Sequence, residues 1–163
     1  MTSGPLRGGG RTGSDWMFRS MVVGTDGSDT ATQAVRQAIE LARSVGARID
    51  LVSAYEPVSD ARLREESMVV PKDLHWMINP REDVLATLKE AAAEIRAAGV
   101  EVEMFARQGD PADAILDVAE ERGSDLIVVG NKGMTGAKRF LLGSVPNKVS
   151  HHAPCSVLII RTV

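Results

Sequence analysis

Two stretches of four residues, Leu126 to Val129 and Val157 to Ile160, are apolar at every position. A strand with one wet face alternates apolar and polar residues, so unbroken runs of this length mark parallel strands covered on both faces. Parallel neighbours cannot be joined by a hairpin; each pair needs a crossover, usually a helix. The intervening segments supply them. Met21 to Val23 leads through Gly24, Thr25, Asp26, Gly27, Ser28 and Asp29, which is turn and N-cap chemistry. The helix that follows sets Ala31, Ala34, Val35, Ala38, Ile39, Ala42 and Val45 on one face and stops at Gly46. Ile49 to Ala54 is the second strand. Arg81 to Ala98 carries Val84, Leu88, Ala91, Ala92 and Ile95 on one stripe before Gly99. Val100, Val102, Met104 and Ala106 then alternate with Glu101, Glu103 and Phe105, a third strand exposed on the latter face. Asp110 and Pro111 open a helix as cap and first position, burying Ile115, Leu116 and Ala119 before Gly123. Ser144 to His152 is a short last helix.

Strand and helix therefore alternate, which implies an α/β domain built on a parallel sheet with right-handed crossovers and helices on both faces. The half-exposed third strand suits a sheet edge, whereas the first and fourth strands are too apolar for one. An open five-stranded sheet of order 3-2-1-4-5 satisfies both conditions. Its crossovers leave in opposite directions at strands one and four, which opens a crevice at their carboxyl ends. Gly24, Thr25 and Asp26 follow strand one, and Gly130, Asn131, Lys132 and Gly133 follow strand four. The two loops richest in turn and polar residues converge on that crevice, where a ligand site is expected.

Composition narrows the ligand. With 163 residues, the chain suffices for one domain and not for two full enzyme domains. A net charge of −3 leaves no electrostatic footprint for nucleic acid or anionic lipid, and the two Trp, one Tyr and three Phe make no base-stacking platform. No apolar run approaches the roughly 20 residues of a membrane helix. The single Cys155 forms no disulfide framework within the chain. A cytoplasmic protein is expected, with neither nucleic acid nor membrane as partner. Residues 1–18, with five glycines, are expected to form a disordered extension ahead of a domain over 19–163. Residues 57–80 have no clean period yet carry Met68, Val69, Val70, Leu74, Trp76, Met77 and Ile78. They are expected to form a flap that either covers the ligand or packs on the sheet.

The loop after strand four has the chemistry of an anion site. Glycines let backbone N–H groups approach a phosphate, Ser144 stands where an N-cap belongs, and a helix N-terminus favours negative charge. Lys132, Lys138 and Arg139 add neutralising charge. No GxxxxGK(S/T) occurs, and Gly24-Thr-Asp-Gly27 is not GxGxxG, which disfavours a P-loop ATPase and a dinucleotide oxidoreductase.

Gly130-x2-Gly133-x9-Gly143-Ser144, with VVGTDGS at the first strand, DLIVVGNKG at the fourth and LLGSVPNKVSHHAPCSVLII at the end, resembles the universal stress protein family from Arg19 onward. The spacing is similar to that of its ATP-binding subgroup. The resemblance implies a fold related to adenine-nucleotide-binding hydrolases, a homodimer, and bound ATP or ADP with Mg²⁺. It places Gly24 and Asp26 at the ribose or phosphate end, with Thr25 and Asn131 also among the nucleotide-binding residues, and Ala54 against adenine through its backbone. Val129 and Gly130 would flank the ribose, and Gly133, Gly143, Ser144 and Val145 would hold the phosphates. Related sequences often carry Ser or Thr where Pro146 stands, and Pro supplies neither hydroxyl nor N–H. That removes one phosphate contact and leaves triphosphate, diphosphate and cyclic nucleotide open. The Gly24 position is often Pro in relatives.

Asp26 either holds ribose hydroxyls or a phosphate-bound Mg²⁺, or it caps the turn. Tyr55 either stacks near adenine or closes the second strand. His151 and His152 are adjacent on a helix, so they suit its C-terminus better than a metal. Cys155 is expected to pack rather than attack. No nucleophile–base pair or carboxylate dyad emerges, so hydrolysis would rest on a positioned water and Mg²⁺ and would be slow. The expected function is a dimeric, nucleotide-dependent stress or regulatory switch, paired through its apolar last strand. The alternatives are a cyclic-nucleotide binder, a slow ATPase or adenylating enzyme, and a dimeric scaffold without ligand.

Overall fold

The computed structural model describes residues 18–56, 80–131 and 142–162. Five strands, β1 (Ser20–Gly24), β2 (Arg48–Tyr55), β3 (Val102–Gln108), β4 (Leu126–Gly130) and β5 (Ser156–Ile160), form one parallel sheet of order β3-β2-β1-β4-β5. Four helices cover it: α1 (Asp29–Val45), α2 (Pro80–Ala97), α3 (Pro111–Arg122) and α4 (Ser144–His152). The architecture and the strand order are those expected.

Alternation along each strand feeds two cores. Met21, Val23, Ile49, Leu51 and Val128 pack with Val35 and Ile39 of α1 and Leu88 and Ile95 of α2 on one face. Val22, Val52, Ile127 and Val129 pack with Ile115 and Val118 of α3 and Val149 of α4 on the other. Burial on both faces is what permits the unbroken apolar run of β4. Local chemistry fixes the ends. Ser28 caps α1, its hydroxyl accepting the Ala31 N–H (3.2 Å), and Asp110 caps α3 by accepting the Asp113 N–H (3.0 Å). Gly46 and Gly123 close α1 and α3 in left-handed conformation. Asp125 accepts N–H bonds from Arg19 (2.9 Å) and Ser20 (3.1 Å), which sets β1 against the start of β4.

Several expectations need correction. The continuous run of β5 reads as a strand buried on both faces, yet at the edge position that the expected order gives it Val157, Leu158 and Ile159 are only half-buried. Phe105, expected on the wet face of β3, packs against the α3-side core, beneath the guanidinium groups of Arg107 (5.5 Å) and Arg122 (5.6 Å). Alternation on an edge strand reports which face a residue takes, and here long cations roof the second face. Phe18, assigned to the N-terminal extension, packs against the first core, and Pro80, assigned to the flap, opens α2. The rest of both segments, 1–17 and 57–79, lies outside the described residues. Among the described residues no helix is long and apolar enough to cross a membrane.

The amino end of the sheet holds a charged cluster. Asp50, buried on the α3 side of β2, faces the Arg122 guanidinium at 3.4 Å and that of Arg48 at 3.9 Å; Arg122 also pairs with Glu103 at 2.8 Å. This cluster stands at the opposite end of the strands from the crevice.

Candidate functional site

The carboxyl ends of β1, β2 and β4 open into a crevice of about 630 Å³, open solvent at its mouth included. Its position follows from topology, because the crossovers diverge between β1 and β4. β1 and the turn after it contribute Gly24, Thr25 and Asp26; β2 contributes Ala54; β4 contributes Val129 and Gly130; α4 contributes Val145 and Pro146. These eight were all expected.

Six further positions, on three elements, close the walls. Val52 and Ser53 of β2, Ser28 and Ala31 at the start of α1, and Pro111 and Ile115 of α3 also line the crevice. The α3 contribution was missed because Ile115 satisfies its helical stripe and was assigned wholly to core. The usable signal was the place of Asp110 and Pro111, directly beyond the carboxyl end of β3. Ile115 also explains Gly24. A Cβ on Gly24 would lie 2.6 Å from Ile115 Cδ1, so the isoleucine fills the space a side chain there would need.

The turn after β1 is held by its own groups. The Thr25 N–H donates to the Val52 carbonyl (2.9 Å), and the Ser28 N–H donates to Asp26 Oδ1 (2.9 Å). Capping of α1 falls to Ser28, so Asp26 contributes a turn bond with one oxygen while its carboxylate forms part of the crevice wall.

Three helix N-termini border the crevice and they differ. Those of α1 and α3 are capped by Ser28 and Asp110. At α4 the cap position is Gly143, which has no side chain to offer; Ser144, expected as the cap, is the first helical residue instead. The Gly143 N–H donates to the Asn131 carbonyl (2.9 Å), and Pro146 has none. The N–H groups of Ser144 and Val145 are left without an acceptor inside the helix. Among the described residues neither amide has a hydrogen-bond partner, so two donors and the positive end of a helix sit beside the apolar walls.

The remaining expected residues stand as follows. Gly143 and Ser144 are adjacent to the lining residues but not on the wall. Asn131 is beside the crevice, its side-chain oxygen held by Thr162. Gly133, with Lys132, Lys138 and Arg139, lies outside the described residues. Tyr55 ends β2, its carbonyl accepting the Gly109 N–H (2.8 Å), and does not line the crevice. His151 and His152 occupy the last turn of α4. Cys155 is half-buried at the amino end of β5, away from the crevice, and burial, with Asp125 nearby, pushes its thiol pKa up.

At the α3–α4 junction Lys148 spans the two helices, its Nζ 2.8 Å from Asp113 and 3.4 Å from Asp110. The hydrogen bond to Asp113 holds the Lys148 ammonium pKa above its ordinary value. The Asp113 N–H, helped by Lys148, holds the Asp110 carboxyl below its own.

Comparison with known proteins follows the same lines. The universal stress protein family model matches residues 17–161. The universal stress protein YxiE of Bacillus subtilis is 37% identical over 153 residues, covering 89% of this chain and all of that one. A solved universal stress protein in complex with cAMP is 32% identical, covers 90% of this chain and 99% of its own, and superposes with a TM-score of 0.67. A universal stress protein from Lactobacillus plantarum shares the fold at a TM-score of 0.72 and 22% identity, over 89% of this chain and 99% of that one.

Proposed function

The chain belongs to the universal stress protein family, and on that premise we propose that its crevice binds an adenine nucleotide, ATP or ADP with Mg²⁺. The carrying observation is the start of α4, which has no side-chain cap; among the described residues it is the N-terminus at the crevice whose amides stay available to a phosphate. The apolar walls from Val52, Ala54, Val129 and Ile115 suit a base and sugar, and a relative at 32% identity is known in complex with cAMP. In this reading the Ala54 backbone meets adenine, and Gly24, Val129, Gly130 and Asn131 surround the ribose. Gly133, Gly143, Ser144 and Val145 hold the phosphates, and Thr25 and Asp26 serve the ribose or the cation.

Pro146 favours a second reading within the same site. Because it removes one of the amides at the α4 terminus, the site offers fewer donors, which suits a short or cyclic phosphate better than a triphosphate. Titration with AMP, cyclic AMP, ADP and ATP, each with and without Mg²⁺, separates the two. Preference for ATP with Mg²⁺ supports the first reading, preference for AMP or cyclic AMP supports the second, and binding of none refutes both.

The nucleotide state is read out by a partner, and the protein is a cytoplasmic homodimer rather than an efficient enzyme. β5 supports the dimer: it is an apolar edge, whereas the other edge, β3, carries Glu103, Arg107 and Gln108. Pairing of β5 with its counterpart in a second copy would cover that edge. Light scattering that returned a monomer at micromolar concentration would contradict it.

A further inference from the structure

Asn131 joins three separate parts of the chain. Its N–H donates to the Ile160 carbonyl (2.9 Å), and its carbonyl accepts the Gly143 N–H (2.9 Å). Its side-chain Oδ1 accepts two more bonds, from the N–H (2.9 Å) and the hydroxyl (3.1 Å) of Thr162. One residue thus ties the end of β4, the start of α4 and the segment leaving β5. On either side of it stand crevice elements: Gly130 precedes it on the wall, and Gly143 leads into Val145, also on the wall. The position of the α4 amides relative to β4 is set through the Gly143 bond. The attitude of Asn131 is set in turn by Thr162.

We propose that the side chain of Asn131, held by Thr162 while the backbone borders the ribose, is a positioning group that couples occupancy of the crevice to the edge strand β5; the coupling rests on the nucleotide reading above. A helix N-terminus holds an anion only where its amides are fixed at the right place, so order in the clasp and phosphate binding favour one another. Reciprocity follows: what tightens the clasp raises affinity, and the nucleotide tightens the clasp.

The test uses the full chain with AMP and ATP as probes. Asn131→Ala removes Oδ1 and keeps both backbone bonds; Thr162→Val removes only the hydroxyl; Thr162→Ser keeps it. Asn131→Ala should weaken nucleotide binding by about three- to tenfold and Thr162→Val by less, the scale of one or two neutral hydrogen bonds. Thr162→Ser should bind like the parent, and the double variant Asn131→Ala/Thr162→Val like Asn131→Ala alone. A residue that merely closes β5 would not transmit occupancy. Saturating AMP should therefore slow amide hydrogen exchange at Thr162 in the parent, and leave it unchanged in Asn131→Ala. Parent-like affinity in Asn131→Ala, or exchange at Thr162 indifferent to AMP, overturns the coupling and leaves the nucleotide reading standing. If Asn131→Ala does not fold, Thr162→Val against Thr162→Ser decides by the same two readouts. A parent that binds neither nucleotide refutes the nucleotide reading, and the coupling with it.

Discussion

Replacing Pro146 by serine tests the phosphate end of the crevice. Four backbone positions make the α4 start and carry three N–H groups: Gly143 gives its own to Asn131, Ser144 and Val145 have no acceptor among the described residues, and Pro146 has no N–H. Serine at 146 restores an amide at the third helical position and adds a hydroxyl. A hydrogen bond to a charged group contributes about 1.5–3 kcal/mol net of water exchange. One new bond to a terminal phosphate would raise affinity roughly tenfold to a hundredfold. Nucleotides whose phosphates do not reach the new donor gain nothing, so the ratio of ATP to AMP affinity is the quantity to follow. Losing proline frees the unfolded chain and costs about 0.4–1 kcal/mol of stability. Because Pro146 is buried, lost packing adds to that. Calorimetric titration of parent and Pro146→Ser with AMP, ADP and ATP in Mg²⁺ gives the ratios, and thermal unfolding gives the stability. Pro146→Ala, which restores the amide alone, separates its share from that of the hydroxyl. An unchanged ATP-to-AMP ratio in folded Pro146→Ser and Pro146→Ala would refute the placement of phosphates at α4.

Asp50→Ala should destabilise the fold by about 3 kcal/mol, the low end for breaking a buried pair, because Arg122 keeps Glu103 as a partner. Denaturant midpoints check it, and a loss below about 1 kcal/mol would reduce Asp50 to the rank of a surface ion pair. Asp110 has a folded pKa below its ordinary 3.8, so its contribution is present above that pH and is lost as pH falls through the lower folded value. Asp110→Asn, which can still cap α3, should flatten the acid limb of the stability curve; an unchanged limb would contradict the assignment. Cys155, half-buried with its thiol pKa raised, should react with iodoacetamide at neutral pH more slowly than in the denatured chain, and equal rates would refute its packed role.

Much of this was legible in the sequence because the signals were redundant. The apolar runs of β4 and β5, the Ser28 and Asp110 caps and the closing glycines each marked an element independently. The order of strands followed from which runs tolerate an edge. Topology then placed the loops after β1 and β4 at the crevice, and the family resemblance added Ala54, Val129, Val145 and Pro146 to the expected lining. What escaped detection depends on contacts between distant segments. Ile115 reads as core from its helical spacing, and only the folded pair with Gly24 shows that it also forms the crevice wall. Asn131 reads as a polar loop residue, and its bonds to Thr162 span 31 positions that no local pattern encodes. Ser144 and Gly143 differ by one position, the level at which helix starts are least determined by sequence. Phe105 obeys strand alternation, but the cations that cover it come partly from α3.

The most direct measurement of the central claim is the nucleotide content of the protein itself. The freshly purified chain is mixed with AMP, cyclic AMP, ADP and ATP in Mg²⁺, freed of unbound ligand, denatured, and the supernatant separated by chromatography and mass spectrometry. The account predicts an adenine nucleotide released in stoichiometric amount. A supernatant with no nucleotide from a folded protein would contradict it.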